Sequence, residues 1–302
     1  METPIRIGTR QSPLALWQAG KVKALLEANG LACELIPIDS KGDLDLEKPL
    51  YELGVVGVFT KSLDAALLAA RIDRAVHSMK DMPTAVPQGL GLAAVLERGN
   101  PFDILVHKGT DFLNGPGTIA TGSLRRKAQW LHKYPQHEVV GLRGNVQTRL
   151  QKFKDEGWDG AIFAQAGLER VDLLPENHHR LDWMIPAPAQ GAVAVVTQED
   201  NKVLLEACKA ISNKEAELCT RVERQFLRTL EGGCTAPIGA HAKISGGQLH
   251  FKGCLHSLDG SQEKRVEASI SLEDLKDHGA IWARNLLDNG GSTIMEQIKE
   301  QL

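Results

Sequence analysis

Glu97-Arg98-Gly99-Asn100-Pro101 is the stretch on which the fold turns. Strands and helices alternate up to it, the Gly-Asn-Pro run can continue neither element, and the same alternation begins again beyond it. Ahead of it, Arg6 to Thr9 reads as a strand, and Ser12-Pro13 opens a helix with an N-cap residue and a proline in the first turn. Cys33 to Ile38, Gly57 to Ala70 and Arg74 to Ser78 continue as strand, helix and strand, with a polar loop at Asp39 to Lys48, and Leu90 to Leu96 leads into the crossing. Behind it, strands are expected at Ile104 to His107, Thr118 to Thr121, Glu138 to Leu142 and Gly160 to Ala164. Helices are expected at Leu124 to Lys133, Val146 to Glu156 and Ala166 to Val171. A second punctuated run, Pro186-Ala187-Pro188-Ala189-Gln190-Gly191, leads into the apolar strand Ala192 to Thr197. If that strand returns to the first sheet, two linkers join two α/β lobes at a hinge, and ligands gather beyond the carboxyl ends of the strands.

The remainder has a different rhythm. A helical pattern from Lys214 to Leu230 ends at Gly232-Gly233. From Ala240 to Ile270 apolar positions alternate in three runs, and two closing helices are expected at Leu272 to Leu287 and Thr293 to Gln301. The expected fold class is therefore α/β: two hinged lobes, residues 1–98 with 192–214 and residues 99–191, plus a small C-terminal α+β domain, residues 215–302.

Composition narrows the function. With 302 residues, 42% hydrophobic and 24% charged, the chain is an ordinary globular protein. No apolar run is long enough for a membrane span and no signal core follows Met1, so a cytoplasmic location is expected. Five cysteines without C-x-x-C spacing argue against a disulfide framework and against a zinc site, and no metal is expected. The net charge of −3 gives no reason to expect nucleic acid as a partner. Locally the balance is very different: residues 121–152 carry Arg125, Arg126, Lys127, Lys133, Arg143, Arg149 and Lys152 against the single acid Glu138.

Ser123 is placed to cap the helix of Arg125 and Arg126, so backbone amides, the positive helix end and two guanidinium groups converge after a strand. Arg143 follows another strand, beside Gly144, with Arg149 about one turn further on; Arg170, and Arg10 with Ser12, stand at equivalent junctions. Guanidinium groups at such junctions suit bidentate recognition of carboxylate or phosphate. Lys127, Lys133 and Lys152 read as solvated surface. Asp81, beside Lys80 after the strand ending at Ser78, has two readings: an Asx-type turn before Pro83, or a carboxylate that binds an N–H donor, steadies a cation or moves a proton. Cys234, on a glycine-flanked bend in Leu230 to Ala240, also has two: a structural half-buried cysteine, or a thiol that something bulky can approach.

Five motifs together resemble the porphobilinogen deaminase (hydroxymethylbilane synthase) family. They are Gly8-Thr9-Arg10-Gln11-Ser12-Pro13-Leu14-Ala15, Val76 to Pro83, Thr121-Gly122-Ser123-Leu124-Arg125-Arg126, Leu142-Arg143-Gly144-Asn145-Val146, and Leu230 to Ala240. The resemblance implies two lobes like those of a type II periplasmic binding protein, a third domain, and a dipyrromethane cofactor joined to Cys234 by a thioether. It further implies that four porphobilinogen units are condensed head to tail with loss of ammonia, and that linear hydroxymethylbilane is then released by hydrolysis. Each ring brings an acetate and a propionate, which gives the arginines a purpose.

By resemblance Asp81 is the catalytic carboxylate. Ser78, Lys80, Thr121, Ser123, Arg125, Arg126, Arg143, Gly144, Asn145 and Gln190 go with the cofactor, and Arg10, Ser12, Phe59, Arg149 and Arg170 with the substrate. The implied partner is porphobilinogen alone, with no membrane and a monomeric chain, and the linkers at 97–103 and 186–192 are given a role in domain motion. Two departures stand out: Val56 falls where the family commonly has lysine, with Lys61 a possible replacement, and Gly122 where it often has serine. A solute-binding protein for a small anion would use the same lobes and cations but would not need Cys234; a nucleic-acid binder lacks the aromatic residues expected among the arginines.

Overall fold

The computed structural model describes residues 4–39, 60–230 and 236–301. Its elements run β1 (Ile5–Thr9), α1 (Pro13–Glu27), β2 (Cys33–Pro37), α2 (Lys61–Leu68), β3 (Arg74–Ser78) and β4 (Leu90–Val95). After Gly99 come β5 (Asp103–His107), β6 (Thr118–Ala120), α3 (Leu124–Lys133), β7 (Glu138–Val140), α4 (Val146–Asp155), β8 (Gly160–Ala164), α5 (Gln165–Glu169) and β9 (His178–Arg180). The chain continues with β10 (Val193–Gln198), α6 (Lys202–Lys209), α7 (Lys214–Thr229), β11 (Ile238–Ser245), β12 (Gln248–His256), β13 (Glu263–Ser271), α8 (His278–Leu286) and α9 (Ser292–Gln301).

Two five-stranded sheets share one plan. In the first, the order is β2-β1-β3-β10-β4, with β1 parallel to β2 and β3, and β10 antiparallel to β3 and β4. In the second, the order is β7-β6-β8-β5-β9, with β6 parallel to β7 and β8, and β5 antiparallel to β8 and β9. In each sheet the antiparallel fourth strand is the one the chain forms on arrival, β5 after the first crossing and β10 after the second. The strand at 193–198 does return to the first sheet. The expected α/β architecture with an α+β C-terminal part is present, the latter as the meander β11-β12-β13 packed by α7, α8 and α9 around Phe226, Phe251 and Trp282.

The chain divides into two compact units. One takes in the described residues up to Gly99 together with Gly191–Glu217; the other holds Asn100–Gln190 and everything from Leu218 onward. The second sheet and the C-terminal meander thus belong to one unit, and among the described residues the chain passes between units at Gly99–Asn100, at Gln190–Gly191 and, inside α7, at Glu217–Leu218.

Helix α1 shows how the pattern becomes packing. Ser12 accepts the Ala15 amide at 3.3 Å and Pro13 occupies the first turn, as expected. The buried stripe, however, is Ala15, Ala19, Val22 and Leu26. Leu16 and Trp17, on the other face, remain 37% and 41% exposed. The first of the two closing helices starts at His278 and not at Leu272, and the short elements β9 and α6 were not anticipated.

Candidate active site

In the first unit, parallel pairing of Ile7 with Arg74 and Gly8 with Ala75 brings the carboxyl ends of β1 and β3 side by side. Gly8 is needed for this: a Cβ there would lie 2.3 Å from Ile72 Cδ1. Beyond β1, the buried Thr9 hydroxyl donates to Ala15 O at 3.0 Å and holds the turn that carries Arg10 and Ser12, both half-buried. Beyond β3, Ser78 exchanges hydrogen bonds with the Gln18 amide, at 2.8 and 3.2 Å. A single 3-10 turn, Met79–Asp81, follows. The Met79 amide donates to Ala192 O at 3.0 Å, and Met79 and Met82 are buried on either side of Lys80 and Asp81.

The turn is therefore fixed while Asp81 remains half-buried. Among the described residues no donor is bonded to the Asp81 carboxylate, so the Asx-turn reading fails: the side chain does not serve the local backbone. Just before it, His77 is buried and its pKa is pushed down to about 4, first by burial and then by the charge of Arg10. The imidazole is therefore neutral at pH 7 and adds no positive charge to this strand end.

In the second unit, β6 lies between β7 and β8, and the three loops that follow these strands are neighbours. The Thr121 amide donates to Val140 O at 2.9 Å, and the Thr121 hydroxyl accepts the Ser123 amide at 3.3 Å. Ser123 caps α3, accepting the Arg126 amide at 3.4 Å, as its position predicted. A Cβ on Gly122 would meet Leu142 O at 2.5 Å, which explains glycine where serine was expected. Gly144 has φ +113°, a left-handed angle that favours glycine, and exposed Asn145 caps α4 through the Thr148 amide at 2.9 Å. Arg143 and Arg149 flank this cap, half-buried. Arg170, at the end of α5, is also half-buried; burial lowers its pKa, opposed by Glu169.

The two guanidinium groups of α3 do converge, and the point is a carboxylate of the protein itself. Asp103, fully buried at the start of β5, lies 2.8 Å from Arg125 Nη2 and 2.8 Å from Arg126 Nη2. Arg125 Nη1 donates to Ile185 O at 2.8 Å and Arg126 Nη1 to Ile162 O at 3.0 Å. The arginines are only 5% and 6% exposed. Gln190, buried, joins the cluster by donating to Asp103 Oδ1 at 3.0 Å and to Pro101 O at 2.8 Å. Asp103 was not anticipated. Its one signal in the sequence is an acid opening an otherwise apolar run, Asp103-Ile104-Leu105-Val106.

Cys234, Phe59 and Val56 lie outside the described residues. Lys61 is exposed at the first position of α2. The four other cysteines, Cys33, Cys208, Cys219 and Cys254, are buried thiols in no disulfide. Burial pushes the Cys33 thiol up, Cys208 to about 11 and Cys254 to about 12, so these three are poor nucleophiles. Among the described residues no group of three or more His, Cys, Asp or Glu could hold a metal ion, and no helix is long and apolar enough to cross a membrane.

Comparison with known proteins decides the family. Residues 5–206 match the profile described as "Porphobilinogen deaminase, dipyromethane cofactor binding domain", and residues 217–288 match that of the deaminase C-terminal domain. The chain belongs to the porphobilinogen deaminase family. A porphobilinogen deaminase from Pelobacter propionicus is 40% identical over 303 residues, covering 98% of each chain. One from Syntrophomonas wolfei is 40% identical over 298 residues, 96% of this chain and 97% of the relative. One from Geobacter sulfurreducens is 39% identical over 304 residues, 98% and 95%.

As a porphobilinogen deaminase, the protein is a transferase of tetrapyrrole and haem biosynthesis that joins porphobilinogen head to tail and uses dipyrromethane as cofactor. The solute-binding reading gives way to the enzyme. The second unit suits a cofactor rich in carboxylates: cationic side chains cluster at the loops after β6, β7 and β8, and Arg125 Nε is a buried donor with no hydrogen-bond partner.

Proposed function

We propose that the enzyme condenses four porphobilinogen molecules in succession, with loss of ammonia at each addition, and releases linear hydroxymethylbilane by hydrolysis, with Asp81 as the catalytic carboxylate and Cys234 as the thioether anchor. The observation that carries this reading is the state of Asp81: a half-buried carboxylate on a turn fastened at Met79, bonded to no donor among the described residues. When bound, dipyrromethane supplies the primer ring to which the first substrate unit is joined.

Asp81 accepts hydrogen bonds from pyrrole N–H groups and offsets the positive charge that develops as the aminomethyl group of porphobilinogen loses ammonia. Arg10 and Ser12, at the neighbouring strand end, receive substrate carboxylates, with Phe59 beside them in the family's pattern. Ser78 and Lys80 serve the cofactor from the same unit. In the other unit Thr121, Ser123, Arg125, Arg126, Arg143, Gly144, Asn145 and Gln190 form the cofactor's surroundings, and Arg149 and Arg170 meet the growing product. Of these, Thr121, Ser123, Gly144, Asn145 and Gln190 act by shaping the loops, since their side chains or backbone are engaged in caps and turns. The support for Cys234 as anchor is partly by exclusion, because the four remaining cysteines are buried.

This reading divides the chain into three domains, residues 1–98 with 192–214, 99–191 and 215–302, in a monomeric cytoplasmic enzyme that binds no nucleic acid, in keeping with its net charge of −3. Its test is turnover of Asp81→Asn on enzyme whose cofactor content has been verified by mass: the proposal requires retained cofactor with turnover reduced by about three orders of magnitude or more. Turnover near that of the wild type removes Asp81 from the chemistry.

A further inference from the structure

One carboxylate of the second unit takes no part in the chemistry above, yet it touches the most cationic part of the fold. Asp103 Oδ1 accepts Arg126 Nε at 2.9 Å and Gln190 Nε2 at 3.0 Å and lies 2.8 Å from Arg126 Nη2, while Oδ2 lies 2.8 Å from Arg125 Nη2. Carbonyls of Ile185 and Ile162 take the Nη1 donors. Both guanidinium planes are thus set by protein acceptors on the side of Asp103, and both cations lie within ion-pair distance of the same anion. Two adjacent guanidinium groups repel one another in a site this buried, and Asp103 is the carboxylate that, among the described residues, lies within ion-pair distance of both.

We propose that Asp103 is a positioning residue of the anion site: it fixes Arg125 and Arg126 side by side and leaves the pair one net positive charge, matched to one carboxylate of the ligand. This rests on the reading that these arginines meet carboxylates of dipyrromethane. A pair without Asp103 would carry two charges and would hold a multivalent inorganic anion in competition with the cofactor. Gln190 contributes by donating to the same oxygen, which leaves the guanidinium groups less freedom to turn.

The experiment compares Asp103→Asn and Asp103→Glu with the wild type, reading the fraction of chains that carry a two-ring adduct by intact mass and the affinity for inorganic phosphate by calorimetry. Asn keeps the shape and one acceptor but no charge; Glu keeps the charge at a longer reach. The proposal requires Asp103→Asn to load at about a tenth of the wild-type level or less while binding phosphate about tenfold more tightly. Asp103→Glu should load at an intermediate level with phosphate affinity within about threefold of the wild type.

Lower loading without tighter phosphate binding in Asp103→Asn makes Asp103 a structural ion pair only and overturns the proposal, as does wild-type loading. Should Asp103→Asn not fold, Asp103→Glu decides: wild-type loading overturns the proposal, and reduced loading with unchanged phosphate affinity supports it. A wild-type protein that carries no adduct rejects the cofactor reading itself, which is recognised because it appears before any substitution is made.

Discussion

Glu223 Oε2 accepts the backbone amide of Ala189 at 2.6 Å. The other oxygen of the same carboxylate accepts the Ala242 amide at 2.7 Å, so one buried side chain of α7 joins the segment that precedes the second crossing to strand β11 of the meander. Ala189 has φ +62°, an angle that costs a residue with a Cβ of the order of 1 kcal/mol and persists only where neighbours hold it.

Glu223→Gln should therefore destabilise the protein by about 2–4 kcal/mol, because the new amide group must present an N–H to one of two buried N–H donors. Urea denaturation measures this. A loss under about 0.5 kcal/mol would mean that the carboxylate is not what secures Ala189.

Asp81→Asn should show the opposite behaviour. No donor among the described residues depends on this carboxylate, so the melting temperature should stay within about 2 °C of the wild type while turnover collapses. A variant that loses both in parallel would assign Asp81 a structural role.

Gly144→Ala tests the loop that carries Arg143. At φ +113° an added Cβ would also lie 2.8 Å from Thr148 Cβ and Cγ2, against the first turn of α4. The expected cost is about 1–3 kcal/mol with a drop in cofactor loading, measured by denaturation and by intact mass. Unchanged stability and loading would show that the loop relaxes without cost.

His77 sets an acid limit. Its pKa falls from 6.5 unfolded to about 4 folded, so above pH 6.5 the imidazole is neutral in both states and imposes no penalty. As pH falls from 6.5 towards 4 the unfolded chain takes up a proton that the folded chain refuses, and stability declines by up to about 3 kcal/mol. Urea denaturation at a series of pH values should show this decline, and His77→Gln should flatten it. An equal decline in both proteins would place the acid sensitivity elsewhere.

Much of this was legible from residue order. Ser12 and Ser123 announce helix starts because capping is local chemistry, and Gly99 and Gly191 bound two of the crossings between the units in runs that neither helix nor strand continues. The part that was not legible depends on contacts distant in sequence. Arg125 and Arg126 read as open cations, yet they meet Asp103, 22 and 23 residues away, only because β5 reaches its sheet antiparallel to β8. Glu223 falls within the helical run from Lys214 to Leu230, and its role follows from two amides that lie 34 and 19 residues away.

The central claim is that a dipyrromethane primer is tethered to Cys234, and intact mass spectrometry of the denatured protein tests it most directly. The account predicts a wild-type mass above that of the bare 302-residue chain by a two-ring pyrrole adduct, absent from Cys234→Ala. A wild-type chain at its bare mass, or an adduct that survives Cys234→Ala, would contradict it.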